Sequence, residues 1–450
     1  MRLRLACSLF LFGLACCGLS QSRYSGFVSK LGDRGLHQLG AYDLLRELTT
    51  NVGARISGSP EAAKAVAWAK GTMEKLGFQK VHLVPCMAPH WVRGKVEQCS
   101  AQDSDGTFRL TCCALGGSVP TPAQGITAPV IEVFSVPEAQ KLGDAAKGKI
   151  IFFDGSFDAS LIDTGAQYAR ASAQRISGPA TAAKLGAVAV VVRSMAGDAD
   201  DVPHTGATEK SAIPAAALSV VAANNLSDAL SAHPELTLTL KLGCETQPDV
   251  PSADVVGELT GTDRPNEVVV IGGHLDSWDK GQGAHDDGAG VAHSIEALHL
   301  LKELGFKPKR TIRVVLFMDG EQSGRGAAAY ADYSKTAKEK PIAAIESDSG
   351  GFAPRGINTS FKDVHKLDKW LPALAYFEAE RITAAGEGGP DIGPLGTLGA
   401  VLFGLETESQ RYFDYDDSDK DTLDKVNPRE LELGALSLAT LAWLTSEEGI

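Results

Sequence analysis

The stretch from Ile271 to Gly290, IGGHLDSWDKGQGAHDDGAG, limits what this chain can fold into more than any other. The β-branched run Glu267 to Ile271 that enters it reads as a buried strand. Beyond it, Val291, Ile295, Leu298, Leu301 and Leu304 recur at the three- and four-residue steps of a helix. Strand, loop and helix make half of a βαβ unit, and open α/β sheets bind ligands beyond the carboxyl ends of their strands. The loop at this strand end carries His274, Asp276, Asp279, His285, Asp286 and Asp287 among glycines, the residue types that hold divalent metals.

Two further strand-like runs end the same way. Thr311 to Met318 delivers Asp319, Gly320 and Glu321, and Ile342 to Glu346 delivers Asp348 ahead of Gly350 and Gly351. One acidic residue at a strand end is ordinarily a solvated loop group. Three strand ends that each finish in carboxylate or imidazole converge on a metal-derived site. A fourth contribution is the acidic run Tyr412 to Asp424, which precedes a final helix with Asn427 as cap and Pro428 at its first position. Taken alone, that run is equally well a solvated acidic loop.

The rest of the chain supports this crevice. A length of 450 residues exceeds one simple core, so more than one unit is expected. Asp43 to Leu76 reads as helices around the turn Gly53 to Pro60, with Ser59 as a cap. Gly116, Gly117 and the segment Pro120 to Gly125 punctuate the chain. From Ile126 to Leu242, strands such as Gly148 to Phe153 alternate with Ala-rich helices, and metal-type ligands become sparse. This region reads as an inserted α/β module, in which His204 is a loop or interface residue. The expected architecture is α/β, with a mixed, mostly parallel open sheet flanked by helices and a smaller inserted domain. Residues 21–122 and 246–450 would form the main domain and 123–245 the insert.

At the N-terminus, Arg2 and Arg4 precede the apolar run Leu5 to Cys17, which is too short to span a bilayer, and small residues follow at Gly18 to Ser20. This pattern predicts a secretory signal over residues 1–20 and an extracytoplasmic protein, and no other segment reads as a membrane span. A net charge of −13 excludes a nucleic-acid partner, which would need basic surface. Beyond the signal remain Cys86, Cys99, Cys112, Cys113 and Cys244, an odd number, so at least one is free or pairs between chains. None shows CxxC spacing.

Ordered motifs along the whole chain carry a family resemblance. They are Val52 to Pro60, Pro89 to Gly94, Ala114 to Val119, Pro203 to Ala207, Gly272 to Asp279, Asp286 to Gly290, Glu346 to Phe352 and Asp421 to Pro428. The chain resembles the carboxypeptidase Q branch of the co-catalytic zinc exopeptidases, with more distant likeness to bacterial leucyl aminopeptidases and glutamate carboxypeptidase II. That resemblance implies a protease-associated domain as the insert, a peptide substrate, a possible homodimer and two divalent metal ions, expected to be zinc. His274, Asp348 and a bridging Asp286 match the ligands of one ion, with Asp276 placed to orient the His274 ring. Asp286, Glu321 and a histidine before the serine of the C-terminal loop would hold the other. The glutamate immediately before Glu321 would be the general base, and Asp287 is structural.

Two of those positions depart from the family. The base slot is Gly320, which has no proton acceptor, and the C-terminal ligand slot is Asp417. No histidine follows His365, so no shift of register restores the ligand. With Asp286, Glu321 and Asp417 the second site is all carboxylate. That composition favours manganese, magnesium or calcium over zinc, or leaves the site empty. Asp319 is a poor substitute base, because neighbours along an extended chain point to opposite faces. His285 reads as a loop or supporting histidine, with a base or ligand role as the alternative. Two functions follow: a secreted metallo-exopeptidase acting on dipeptides or short peptides, or a pseudopeptidase that binds peptide, metal or a partner without turnover.

Overall fold

A computed structural model describes residues 24–158, 160–384 and 386–450; the expected signal over residues 1–20 lies outside them. Strand β1 (Gln79–Val92) opens one sheet, and the chain then leaves it. It builds β2 (Glu97–Gln102), β3 (Thr107–Leu110), β4 (Cys112–Ala114), β5 (Ile126–Val133), β6 (Ile150–Phe153), β7 (Ala189–Arg193), β8 (Ala215–Leu218) and β9 (Thr237–Leu242). These eight strands form a separate sheet in the order β3-β2-β9-β5-β6-β7-β8-β4. The chain returns through β10 (Glu245–Leu259) and continues with β11 (Arg264–His274), β12 (Arg310–Phe317), β13 (Lys340–Glu346), β14 (Pro354–Thr359), β15 (Ile382–Thr383) and β16 (Val401–Thr407). With β1 they form the first sheet, in the order β1-β10-β12-β11-β13-β16-β14-β15.

The long antiparallel ribbon of β1 and β10, from Gln79 opposite Glu258 to Val92 opposite Glu245, carries the chain out to the second sheet and back. That sheet begins at Glu97, upstream of the boundary at residue 123 that the glycine and proline punctuation suggests. The physical reason is pairing over distance: Cys99 lies opposite Leu240 and Cys113 opposite Ala217, partners that local patterning does not reveal. Cys86, Cys99, Cys112, Cys113 and Cys244 form no disulfide among the described residues.

The centre of the first sheet, β12-β11-β13-β16, is parallel, and antiparallel pairings flank it. Strand β11 is buried on both faces, and its period of two assigns each side chain to a core. Val269 and Ile271 pack with Leu48, Ile295, Leu298, Leu438 and Leu441 from the helices Gly40–Asn51, Ala289–Glu303 and Pro428–Glu448. Val268 and Val270 face Tyr330 and Ala327 of the helix Arg325–Thr336. Truncating Ile271 to Ala inside such a core costs about 2–5 kcal/mol. The parallel register sets His274 opposite Phe317 and Gly272 opposite Glu346, so three strands end at one level. Above that edge the functional residues gather.

Candidate metal centre

His274 is the last residue of β11 and is buried. Its Nε2 lies 3.1 Å from Asp286 Oδ1 and 3.5 Å from Asp348 Oδ1, between the two carboxylates. Its Nδ1 hydrogen-bonds the main-chain carbonyl of Asp276 at 3.0 Å. An N–H donated there turns Nε2 toward the acids, where it holds a proton or, in its place, a metal ion. The orienting group is thus the Asp276 carbonyl; the Asp276 carboxylate stands at 3.9 Å and accepts instead from the Gly320 N–H at 3.0 Å. Burial works against a charge on His274, yet the hydrogen bonds to Asp286 and Asp348 outweigh it and raise its pKa well above the usual value. The spot between imidazole and carboxylates favours positive charge, and one nitrogen with carboxylate oxygens suits zinc or a similar ion. His274, Asp286 and Asp348 fit one divalent cation.

Supporting residues from several parts of the chain hold this fork in place. Asp421 accepts from the main-chain N–H groups of His285 at 2.7 Å and Asp286 at 3.1 Å, which positions the bridging acid. The fully buried Arg55 donates to the carbonyls of Leu275, Gln282 and Gly283 and so ties down the loop after β11. Asp287 accepts from the N–H groups of His274 and Gly290, each at 3.0 Å, a structural role. Asp279 leaves the site altogether, because Arg93 binds both its oxygens at 2.9 Å. His285 stacks against Phe352 (centroids 4.3 Å apart) and Tyr415 (5.4 Å), and its Nδ1 accepts from Gly351 N–H at 3.1 Å. Burial holds its pKa down at about 4. It packs the loop and points no nitrogen at the fork.

The opposite wall is built differently. Asp417 Oδ2 receives Nη1 of Arg175 at 2.8 Å, and both side chains are buried. Arg175 belongs to the helix Thr164–Ile176 of the inserted region. Thr205 N–H, in the turn that contains the buried His204, donates to the Asp417 carbonyl at 2.9 Å, so His204 sits at an interface. Asp286, Asp416 and Asp417 approach within 4.8 Å of one another, as do His274, Asp286 and Glu321. Burial and the neighbouring Asp286 and Asp417 charges hold Glu321 well above the usual carboxylate range, and its Oε1 accepts from Trp278 N–H at 3.1 Å.

Gly320 has no space for a longer side chain: a Cβ built there would collide with Cβ and Cγ of His274. Asp319 is fully buried and its carboxylate is engaged by Ser57, Ser323 and the Arg325 N–H, away from the fork. The structure therefore brings together His274, Asp286, Asp348, Glu321 and Asp417, and separates Asp279, Asp319 and His285 from them. The cleft in front, about 830 Å³, is lined by His274, Glu321 and Asp348 on one side and by Tyr168 and Arg175 of the inserted region on the other.

Fold and fork together define an α/β protein of the zinc exopeptidase type. Residues 254–441 match the model of peptidase family M28. Over 426 residues the chain is 34% identical to carboxypeptidase Q of Homo sapiens, which covers 93% of this chain and 88% of that protein. The carboxypeptidase Q of Xenopus laevis is 33% identical over 438 residues, 95% of this chain and 90% of the relative. Among solved structures, a peptidase M28 precursor from Shewanella amazonensis superposes with a TM-score of 0.89 at 33% identity, covering 94% of this chain and 97% of its own. A zinc aminopeptidase from Bacillus subtilis shares the fold at 20% identity and a TM-score of 0.64, covering 91% and 96%. The chain belongs to peptidase family M28.

Proposed function

We propose that this chain is a secreted metallo-exopeptidase that hydrolyses dipeptides or short peptides. The observation that carries this reading is the His274–Asp286–Asp348 fork at the floor of a cleft of about 830 Å³. His274, Asp286 and Asp348 would hold a divalent ion there, which would supply Lewis acidity toward the scissile carbonyl. Glu321, within 4.8 Å of His274 and Asp286, takes the proton of the attacking water and returns it to the leaving amine once a cation in the fork offsets the burial and acidic neighbours that otherwise keep it protonated. Trp278 N–H fixes its orientation. The inserted sheet, entered and left through the β1–β10 ribbon, is read as the protease-associated domain and closes the cleft with Tyr168 and Arg175. Arg2, Arg4 and the apolar run after them support export.

A second reading, peptide binding without turnover, is favoured by Gly320, where the family's base has neither side chain nor space. Dipeptide hydrolysis by the whole exported protein, loaded with zinc and separately with manganese, tests both beside Glu321→Gln. Turnover that Glu321→Gln removes supports the exopeptidase. Dipeptide binding seen by calorimetry, with no product from the wild type under either metal, replaces it with the binding protein.

A further inference from the structure

The family's second metal position does not fit this chain. Its C-terminal ligand, Asp417, already has a cation: Nη1 of Arg175 donates to Oδ2 at 2.8 Å. Both terminal nitrogens of the guanidinium are engaged, while its buried Nε has no hydrogen-bond partner. The same Nη1 donates to the Thr205 carbonyl at 3.2 Å, Nη2 donates to the Tyr168 hydroxyl, and the charge lies 5.5 Å from the centre of the Tyr168 ring. Gly206, at φ +104°, makes room for it, since a Cβ there would fall on the guanidinium and beside the Asp417 carboxylate. Arginine stays charged throughout the physiological range, so this is a permanent cation.

We infer that Arg175 takes the place of the second metal, and that the cleft holds one divalent cation per chain instead of two. A second ion bound to Asp417 would lie about 2–2.6 Å from its oxygen, hence only a few ångströms from the guanidinium, in a site nearly closed to water. Two cations that close repel strongly where screening is weak. A carboxylate at position 417, where the family has a neutral imidazole, adds one negative charge, and Arg175 offsets it. Asp417 is then the partner of Arg175 rather than a metal ligand, and Arg175 is a fixed positive group on the cleft wall. The inference rests on reading His274, Asp286 and Asp348 as ligands of the remaining ion.

Ion stoichiometry tests it without needing turnover. Chelator-treated full-length protein is titrated with zinc by calorimetry, and the retained metal is counted by mass spectrometry after desalting. One equivalent is expected for the wild type, and two for Arg175→Met. Asp417→Asn is expected to keep one ion with affinity changed less than threefold. Two tight equivalents in the wild type would overturn the inference, as would loss of an ion in Asp417→Asn. A single equivalent in a folded Arg175→Met would do the same; if that variant does not fold, the wild-type count and Asp417→Asn still decide. One ion with no hydrolysis sinks the exopeptidase and leaves this inference standing. Two ions with hydrolysis do the reverse.

Discussion

The two walls of the cleft carry similar acids and treat them in opposite ways. On the β11 side, Asp286 and Asp348 face an imidazole whose far nitrogen is pinned to a main-chain carbonyl, and the shared centre is open to a metal. On the tail side, Asp417 faces a guanidinium from another part of the chain and is already neutralised. The first wall stands on strand ends within one rigid sheet. The second is assembled across the contact between the C-terminal loop and the inserted region. A carboxylate becomes a ligand or a salt-bridge partner according to what lies within 3 Å or so of it, not according to its place in a motif.

Substitutions that probe this contrast should have graded effects. His274→Ala removes the only nitrogen donor of the fork, and both retained metal and dipeptide hydrolysis should fall to background; metal kept at wild-type level would break the comparison at its strong side. Glu321→Gln should lower kcat by about 10²- to 10⁴-fold, the usual worth of a general base, with KM little changed. A large loss of bound zinc in that variant would instead make Glu321 a ligand. Asp421→Asn loosens the two N–H groups that place Asp286, and metal affinity measured by competition with a chelator should drop about 10- to 100-fold. Gly320→Glu, which would restore the family's base, should not raise turnover above the wild type: its Cβ meets His274, and overpacking of this kind costs about 1–3 kcal/mol, read as a lower Tm. Turnover above the wild type in that variant would show that the floor can yield. The smallest effect belongs to His285→Phe, which keeps the stack on Phe352 and Tyr415 and should leave kcat/KM unchanged; a loss of turnover with metal retained would return His285 to the chemistry.

Much of the first wall was legible in the sequence. His274, Glu321 and Asp348 follow strand patterns closely, Asp286 opens the helix after the glycine-rich loop, and parallel strands bring their carboxyl ends to one edge. The mixed sheet and its flanking helices follow from the same periodicities. The supporting residues were hidden. Arg55 sits in a turn 222 residues before Ser277, the hydroxyl to which its N–H donates, and Asp421 lies 135 residues beyond the N–H of Asp286. In an acidic run, one engaged aspartate looks like its solvated neighbours. Asp279 stands among the metal-type residues of the richest loop, but Arg93, 186 residues away, claims it.

By itself, the sequence determined the alternation of strands and helices, the acids and imidazole at the strand ends, and the two departures at Gly320 and Asp417, because these depend on local pattern and residue chemistry. Only the tertiary structure decided which acids stay available to a metal. Arg175 lies 242 residues before Asp417, in a helix that no sequence motif marks, and nothing local links the two. Neutralising a buried carboxylate requires a cation within hydrogen-bond reach, and that proximity exists only once the inserted sheet has folded against the C-terminal loop.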